Sequence, residues 1–233
     1  PWLSRIAQRI IVGGAARRAN AIATVSEFSR RRIADRFGVP REKIVVAHSA
    51  LSGMFALSQP CSMPKPFLLY IANTYPHKNA TRLVSAFDHI KDRIPHTLVI
   101  CGQPREGEPP PHPRVKRVHY ITYEELIGMM QAADLMVFPS LYEGFGRPVV
   151  EAQEAGTRVI ASRSAAIPEV GGEGATYFDG ENEEGIAQAI LDALTEPAST
   201  HVDMIARGKE NAKRFTWDEC AKRTLEAFNI ALG

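Results

Sequence analysis

The sequence predicts an α/β protein whose core is a parallel sheet covered by helices on both faces. Two observations carry this. From residue 67 onward, short apolar runs alternate with segments of helical period. Most of the runs, such as Phe67 to Ala72 and Leu135 to Phe138, are apolar at consecutive positions rather than at every second one, as strands buried on both faces are.

In chain order, Leu3, Ile6, Ala7, Ile10 and Ile11 recur at helical spacing. Ala21 to Val25 reads as a strand, and Ser26 as the N-cap of a helix ending at Gly38-Val39-Pro40. Lys43 to Ala47 is a second strand. Ser58 to Pro66, rich in Pro and Ser and without period, is a linker. Beyond it, strands are predicted at Phe67 to Ala72, Thr97 to Cys101, Val115 to Ile121, Leu135 to Phe138, Arg158 to Ala161 and Ala175 to Phe178. Leu83, Phe87 and Ile90 mark one helix between them. Leu126, Met129, Met130 and Ala133 mark a second, Val149 to Ala155 belongs to a third, and Ile186, Ile190 and Leu194 mark a fourth. Gly107 to Pro113 is a surface loop, because consecutive prolines cannot pair in a sheet. Thr122 with Glu125, and Thr216 with Glu219, have capping-box spacing. The second opens a last helix with Cys220, Thr224, Leu225 and Phe228 expected inward. The chain thus divides into a partial α/β domain (1–56), a linker (57–66), a Rossmann-like doubly wound domain (67–215) and a terminal helix (216–233).

Composition narrows the function. The 45% hydrophobic content supports a core, and no apolar run approaches the ~20 residues of a membrane-spanning helix. Cys61, Cys101 and Cys220 are odd in number and far apart, which predicts reduced structural thiols and a cytoplasmic setting. The chain opens on Pro1 with no initiator Met, which points to a piece of a longer protein. Residues 1–50 hold ten of the 28 Lys/Arg but three of the 26 Asp/Glu, a net of +7; the rest carries −5. A basic end suits anionic lipid or an anionic substrate, with a solvated helix face as the plainer reading. The histidines and cysteines lack metal-ligand spacing and there is no Asp-x-Asp pair, so neither metal nor cofactor is expected. Arg30-Arg31-Arg32 is too isolated to argue nucleic acid.

Ligands of such sheets bind at the carboxyl ends of the strands, and two loops there carry chemistry. After the fourth strand of the main domain, Pro139 to Glu151 reads strand, glycine loop, helix, with Pro148 suited to the first helical position. Gly144 and Gly146 let backbone amides approach a ligand, and the helix N-terminus favours phosphate. Glu143 stands at the loop mouth and Glu151 eight residues on; paired acids there suit sugar hydroxyls better than phosphate. After the first strand, Ala72 to Asn79 forms another turn, where Lys78 could place a charge on a diphosphate. Spacing alone favours an ordinary surface lysine.

The segment EGFGRPVVEA, with Glu143-(x7)-Glu151, resembles the signature of glycosyltransferase family 4, whose fold is GT-B. VIASRSAAIPEVGGEGATYF, ATVSEFSRRRIADRFGVPREKIVVAHSA and TYPHKN resemble its neighbouring segments, so the likeness covers nearly the whole chain. The resemblance implies a retaining, metal-independent hexosyltransferase, mannosyltransferase-like, of polysaccharide biosynthesis. It would take a nucleoside-diphosphate sugar, GDP-mannose by analogy of the Pro-x-Lys-Asn turn with UDP- and dTDP-sugars as close alternatives, and a saccharide or lipid-linked acceptor. It also implies roles. Glu143 would contact the donor sugar, and the amides of Phe145, Gly146 and Arg147 would hold its hydroxyls. Val149 and Val150 would lie beside the diphosphate and Glu151 would grip the ribose. Lys78 would neutralise the leaving diphosphate, and the Ile121 backbone would hold the base. Asn73 stands where many members carry an Arg, and Arg147 is usually apolar in the family; Arg147 could supply the missing charge.

By the same resemblance, residues 1–56 are a remnant of the acceptor domain and the last helix crosses back to it. The chain alone is therefore expected to bind donor but not transfer sugar, and to dimerise through unpaired edges of its first 56 residues. Peripheral contact at the inner membrane face is a further expectation. The main alternative is a nucleotide-sugar-binding module inactive without a partner chain; an epimerase or phosphorylase of the same fold, or an interaction protein, fits the motifs less well.

Overall fold

The computed structural model describes residues 2–51, 53 and 59–233. The side chains of Leu3, Ile6 and Ala7, and the boundary expected at residues 56–57, lie outside the described residues. The chain separates into two compact units, residues 52–214 and residues 1–51 with 215–233. The stretch 59–66 thus groups with the larger unit, and the last helix with the first 51 residues.

The larger unit holds a six-stranded, wholly parallel sheet. Its strands are β3 (Phe67–Ile71), β4 (Thr97–Cys101), β5 (Val115–Val118), β6 (Leu135–Phe138), β7 (Val159–Ser162) and β8 (Thr176–Phe178), in spatial order β5-β4-β3-β6-β7-β8. This is the doubly wound order. The chain moves outward from β3 to β5, returns, and moves outward again from β6, so β3 and β6 flank the switch point where such sheets open a crevice. Strand residues alternate between two cores. Leu68, Tyr70, Leu98, Ile100 and Val137 pack with α3 (Ala80–Ile90) and α7 (Glu183–Thr195). Leu69, Val99, Met136 and Phe138 pack with α4 (Tyr123–Ala132), α5 (Arg147–Ala155) and the short α6 (Ile167–Gly171). Burial pushes the Cys101 thiol up to about 11, as befits an inert core cysteine.

Some elements depart from the sequence reading. β5 stops at Val118, not Ile121. Its register pairs Val118 with Cys101, the last residue of β4, and the chain turns away at Gly102, leaving no strand for residues 119–121 to pair with. The helix α5 begins at Arg147, so Pro148 is its second residue. The helix α8 (Ala198–Ala212) has no counterpart in the reading. Its inner face includes Gly208 and Asn211, which break the apolar period, while Val202 is exposed. Asn211 Nδ2 instead donates to Gln153 Oε1 and the Val170 carbonyl, both at 2.8 Å.

The smaller unit contains α1 (Trp2–Arg18), β1 (Ile22–Thr24), α2 (Glu27–Phe37), β2 (Ile44–Val46) and α9 (Trp217–Leu232). The strands β1 and β2 pair in parallel. Ser26 caps α2 through the Ser29 amide at 3.0 Å, and Gly38 closes it in the left-handed conformation. Leu225 and Phe228, expected inward, are 60% and 61% exposed. The helix α9 packs on β2 through its other face, where Ala227 is buried and Arg223 Nε donates to the Val46 carbonyl at 3.2 Å. Apolar residues occupy both faces of α9, and the face with the small alanine is the one that packs.

Candidate functional site

The two loops singled out in the sequence flank the switch point. After β3 the chain makes a 3-10 turn at Pro76–Lys78 and enters α3 through Asn79, held at φ 66. Asn79 is buried. Its Nδ2 donates to the carbonyls of Pro139 (3.1 Å) and Gly180 (2.7 Å), and its Oδ1 accepts from Arg82 (2.7 Å). The Leu141 amide donates to the His77 carbonyl at 2.8 Å, so the loop after β6 is stitched to the loop after β3. Beneath them Tyr70 donates to the Lys78 carbonyl at 3.1 Å; burial, then the nearby Glu143 and Glu108 charges, push its phenol well above the usual range.

With its backbone so held, Lys78 Nζ meets Glu143 Oε1 at 2.6 Å, both side chains mostly covered. After Glu143, Phe145 is buried and Gly146, at φ 98, caps α5. A β-carbon there would face that unfavourable backbone region, which is why glycine stands at this turn. Val149 and Val150 are fully buried in side chain, and the Val149 amide donates to the Gly146 carbonyl at 2.9 Å. Both are covered as whole residues, so neither offers a side chain to a ligand, and the Val149 amide is already committed. Glu151 is 6% exposed, and its Oε1 accepts from Arg147 Nε at 2.7 Å and from the Tyr123 hydroxyl at 3.1 Å. One turn on, burial and then the Glu151 charge push the Glu154 carboxyl up.

A cleft of about 840 Å³ opens over the carboxyl ends of β3 and β4, with Ala72, Asn73, Lys78, Gln103, Ile121 and Pro148 among its walls. Glu143 and Glu151 are not part of that lining; Lys78 and Pro148 bring the cleft to their loop and helix. Asn73 Oδ1 accepts from the Gln103 amide at 2.9 Å, bracing the two loops. Gly102 allows them to cross: a Cβ there would sit 2.2 Å from the Ala72 carbonyl oxygen. Among the described residues, neither the amide nor the carbonyl of Ile121 makes a backbone hydrogen bond outside regular elements, so both stay available at the cleft wall. No group of three His, Cys, Asp or Glu among the described residues could hold a metal ion, and no described helix is long and apolar enough to cross a membrane.

The structure thus brings Lys78 to Glu143 and Arg147 to Glu151, and places Asn73 and Ile121 on the adjoining cleft. Sequence reading missed Tyr123, Asn79 and Gly102. Only the left-handed Asn after Lys78 and the Gly directly after β4 left a local trace.

Residues 58–211 match the family described as glycosyl transferases group 1. The chain belongs to that family. Among curated relatives, it is 30% identical over 239 residues to O-antigen chain mannosyltransferase B of Escherichia coli, covering 91% of this chain and 61% of that protein. It is 26% identical over 244 residues to the serotype-specific mannosyltransferase WbdA of Escherichia coli, covering 92% and 29%. The chain thus spans less than two thirds of these curated relatives. Among solved structures, Anabaena Alr3699/HepE in complex with UDP and glucose matches with a TM-score of 0.80 at 17% identity, over 96% of this chain and 67% of that one. Sucrose-phosphate synthase from Thermosynechococcus elongatus matches with 0.76 at 21% identity, over 96% and 61%. The group 1 chain therefore has the Rossmann-like α/β architecture of GT-B glycosyltransferases.

Proposed function

We propose that this chain is the donor-binding part of a retaining, metal-independent glycosyltransferase of family 4 that moves a hexose from a nucleoside-diphosphate sugar to a saccharide or lipid-linked acceptor. The observation that carries the reading is the placement of Lys78, Glu143 and the start of α5 together at the β3/β6 switch point, beside a cleft of nucleotide size. The two mannosyltransferase relatives support mannose as the sugar, and GDP-mannose is the donor we favour.

In this reading the base lies along Ile121 and Glu151 takes the ribose. The diphosphate meets Lys78 and the N-terminal turn of α5, and the sugar reaches Glu143. The bond to break joins the anomeric carbon to the diphosphate. As it breaks, negative charge grows on the departing phosphate, and Lys78 with the helix N-terminus stabilises it without reorganising. Those groups supply the counter-charge a metal would otherwise bring. The acceptor is held outside this chain, so the chain alone binds donor without transferring sugar, and its smaller unit self-associates or rests on the inner membrane face.

A calorimetric panel of GDP, UDP, dTDP and their sugars, with and without EDTA, tests this. GDP and GDP-mannose should bind most tightly, EDTA should change nothing, and Glu151→Gln should weaken both by about tenfold or more. No binding of any nucleoside diphosphate, a strict Mg²⁺ requirement, or sugar transfer by the purified chain would each overturn its part of the proposal.

A further inference from the structure

We infer that Tyr123 is a positioning residue for Glu151, fixing the carboxylate so that the site distinguishes a ribose from a 2′-deoxyribose; this rests on the nucleotide reading above. Tyr123 is the first residue of α4, next to the cleft-lining Thr122. Its backbone is held by a complete capping box: the Thr122 hydroxyl accepts from the Glu125 amide at 3.2 Å, and Glu125 Oε2 accepts from the Thr122 amide at 2.8 Å. The helices α4 and α5 pack together, and the phenol crosses from one to the other to donate to Glu151 Oε1 at 3.1 Å.

The same oxygen accepts from Arg147 Nε at 2.7 Å, whereas Glu151 Oε2 has no hydrogen-bond partner among the described residues. One oxygen is therefore anchored and the other is left to accept from a ligand. The two anchors differ in kind. Arg147 is half-exposed and lies on the same helix as Glu151, so its long side chain can exchange Glu151 for a ligand group. The Tyr123 ring has two side-chain torsions and a backbone pinned by the capping box, so its hydroxyl keeps its place when Arg147 moves. A carboxylate with a fixed plane meets both hydroxyls of a vicinal diol; one that rotates meets either hydroxyl singly and discriminates poorly.

The test compares binding of GDP and 2′-deoxy-GDP to the whole chain and to Tyr123→Phe, with thermal melts to show that the variant is folded. Wild type should favour GDP by about tenfold or more, the value of a hydrogen bond to a charged group. Tyr123→Phe should bring the two ligands within about threefold of each other, chiefly by weakening GDP. Arg147→Met should keep more of the preference than Tyr123→Phe does. A structural role for Tyr123 would weaken both ligands alike; a folded Tyr123→Phe protein that keeps the wild-type ratio overturns the inference. If wild type binds both ligands equally, the ribose assignment of Glu151 falls and this inference with it, while diphosphate binding stands. If wild type binds neither, the proposed function itself is wrong.

Discussion

At the amino ends of the sheet's strands, Asp134 Oδ2 accepts from the Phe67 amide at 2.9 Å, and Arg158, 8% exposed, donates to the carbonyls of Ala193 and Asp134. Arg114 there donates to the carbonyls of Lys91, Ile94 and His96. At the carboxyl ends the groups of the candidate site bond to other side chains instead: Lys78 to Glu143, and Arg147 and Tyr123 to Glu151. The partner marks the role. A guanidinium committed to backbone carbonyls completes the chain's own hydrogen bonding and has nothing to exchange with a ligand. A carboxylate met by side chains alone keeps lone pairs to offer, and its partners can move. The bonding, more than the charge, separates the scaffold end from the candidate site.

The largest expected effect breaks the scaffold end. Burial holds the Arg158 guanidinium below its usual range, against the opposing pull of Glu196 and Asp134, so the residue is kept there by its bonds. Arg158→Met leaves two carbonyls short of a donor and Asp134 short of a counter-charge. Breaking such an arrangement costs about 2–5 kcal/mol. Urea unfolding should show a loss of that size, with GDP affinity of the remaining folded protein unchanged. A stable Arg158→Met protein that binds GDP poorly would reverse the assignment of the two ends.

Lys78→Ala sharpens the other side. It removes one member of a mostly covered pair and leaves Glu143 without its counter-charge, so stability should fall by about 1–3 kcal/mol. Affinity for GDP should fall by about 1.5–3 kcal/mol, the value of a charged hydrogen bond, and affinity for GMP by much less. Equal losses for GDP and GMP in parallel titrations would move the lysine off the distal phosphate.

The scaffold was more legible in the sequence than the site. Strand runs such as Leu135 to Phe138 are apolar throughout, so burial on both faces is written into consecutive residues. Glu143 and Glu151 could be found as candidates because they frame a local strand-loop-helix turn, and Lys78, whose spacing alone favours a surface lysine, through the family resemblance. Tyr123 could not, since it meets Glu151 across 28 residues, nor Asn79, which holds Pro139 and Gly180 across 60 and 101. Gly102 lies directly after β4, but the Ala72 carbonyl it makes room for is 30 residues away in the chain and is brought there only by the fold. The helix α8 was hidden for a related reason: its buried face is spelled with Gly208 and Asn211, which make sense only once Gln153 is opposite. Local periodicity reports what a segment does alone, and these residues act in pairs that the fold brings together.

The smallest effect concerns pH and again divides the two ends. His96 lies at the scaffold end, 3.8 Å from Asp134, with its Nδ1 buried and without a partner among the described residues. Burial lowers its pKa; Asp134 pulls the other way, and Arg114 and Arg158 add to the lowering. The folded protein therefore resists protonation of this ring more than the unfolded chain does. As pH falls through the unfolded value of about 6.5, the unfolded state binds the proton first, so stability is lost on acidification. Asp88 adds to the loss at lower pH, because its bonds to His112 and Lys91 hold its carboxyl below the usual range. The melting temperature should fall between about pH 7 and pH 5, and His96→Gln should flatten that slope while leaving the Asp88 part at lower pH. GDP affinity should be indifferent to His96→Gln at either pH. An unchanged slope in the variant would show that the ring is not the titrating group, and a change in GDP affinity would show that the two ends of the sheet are coupled.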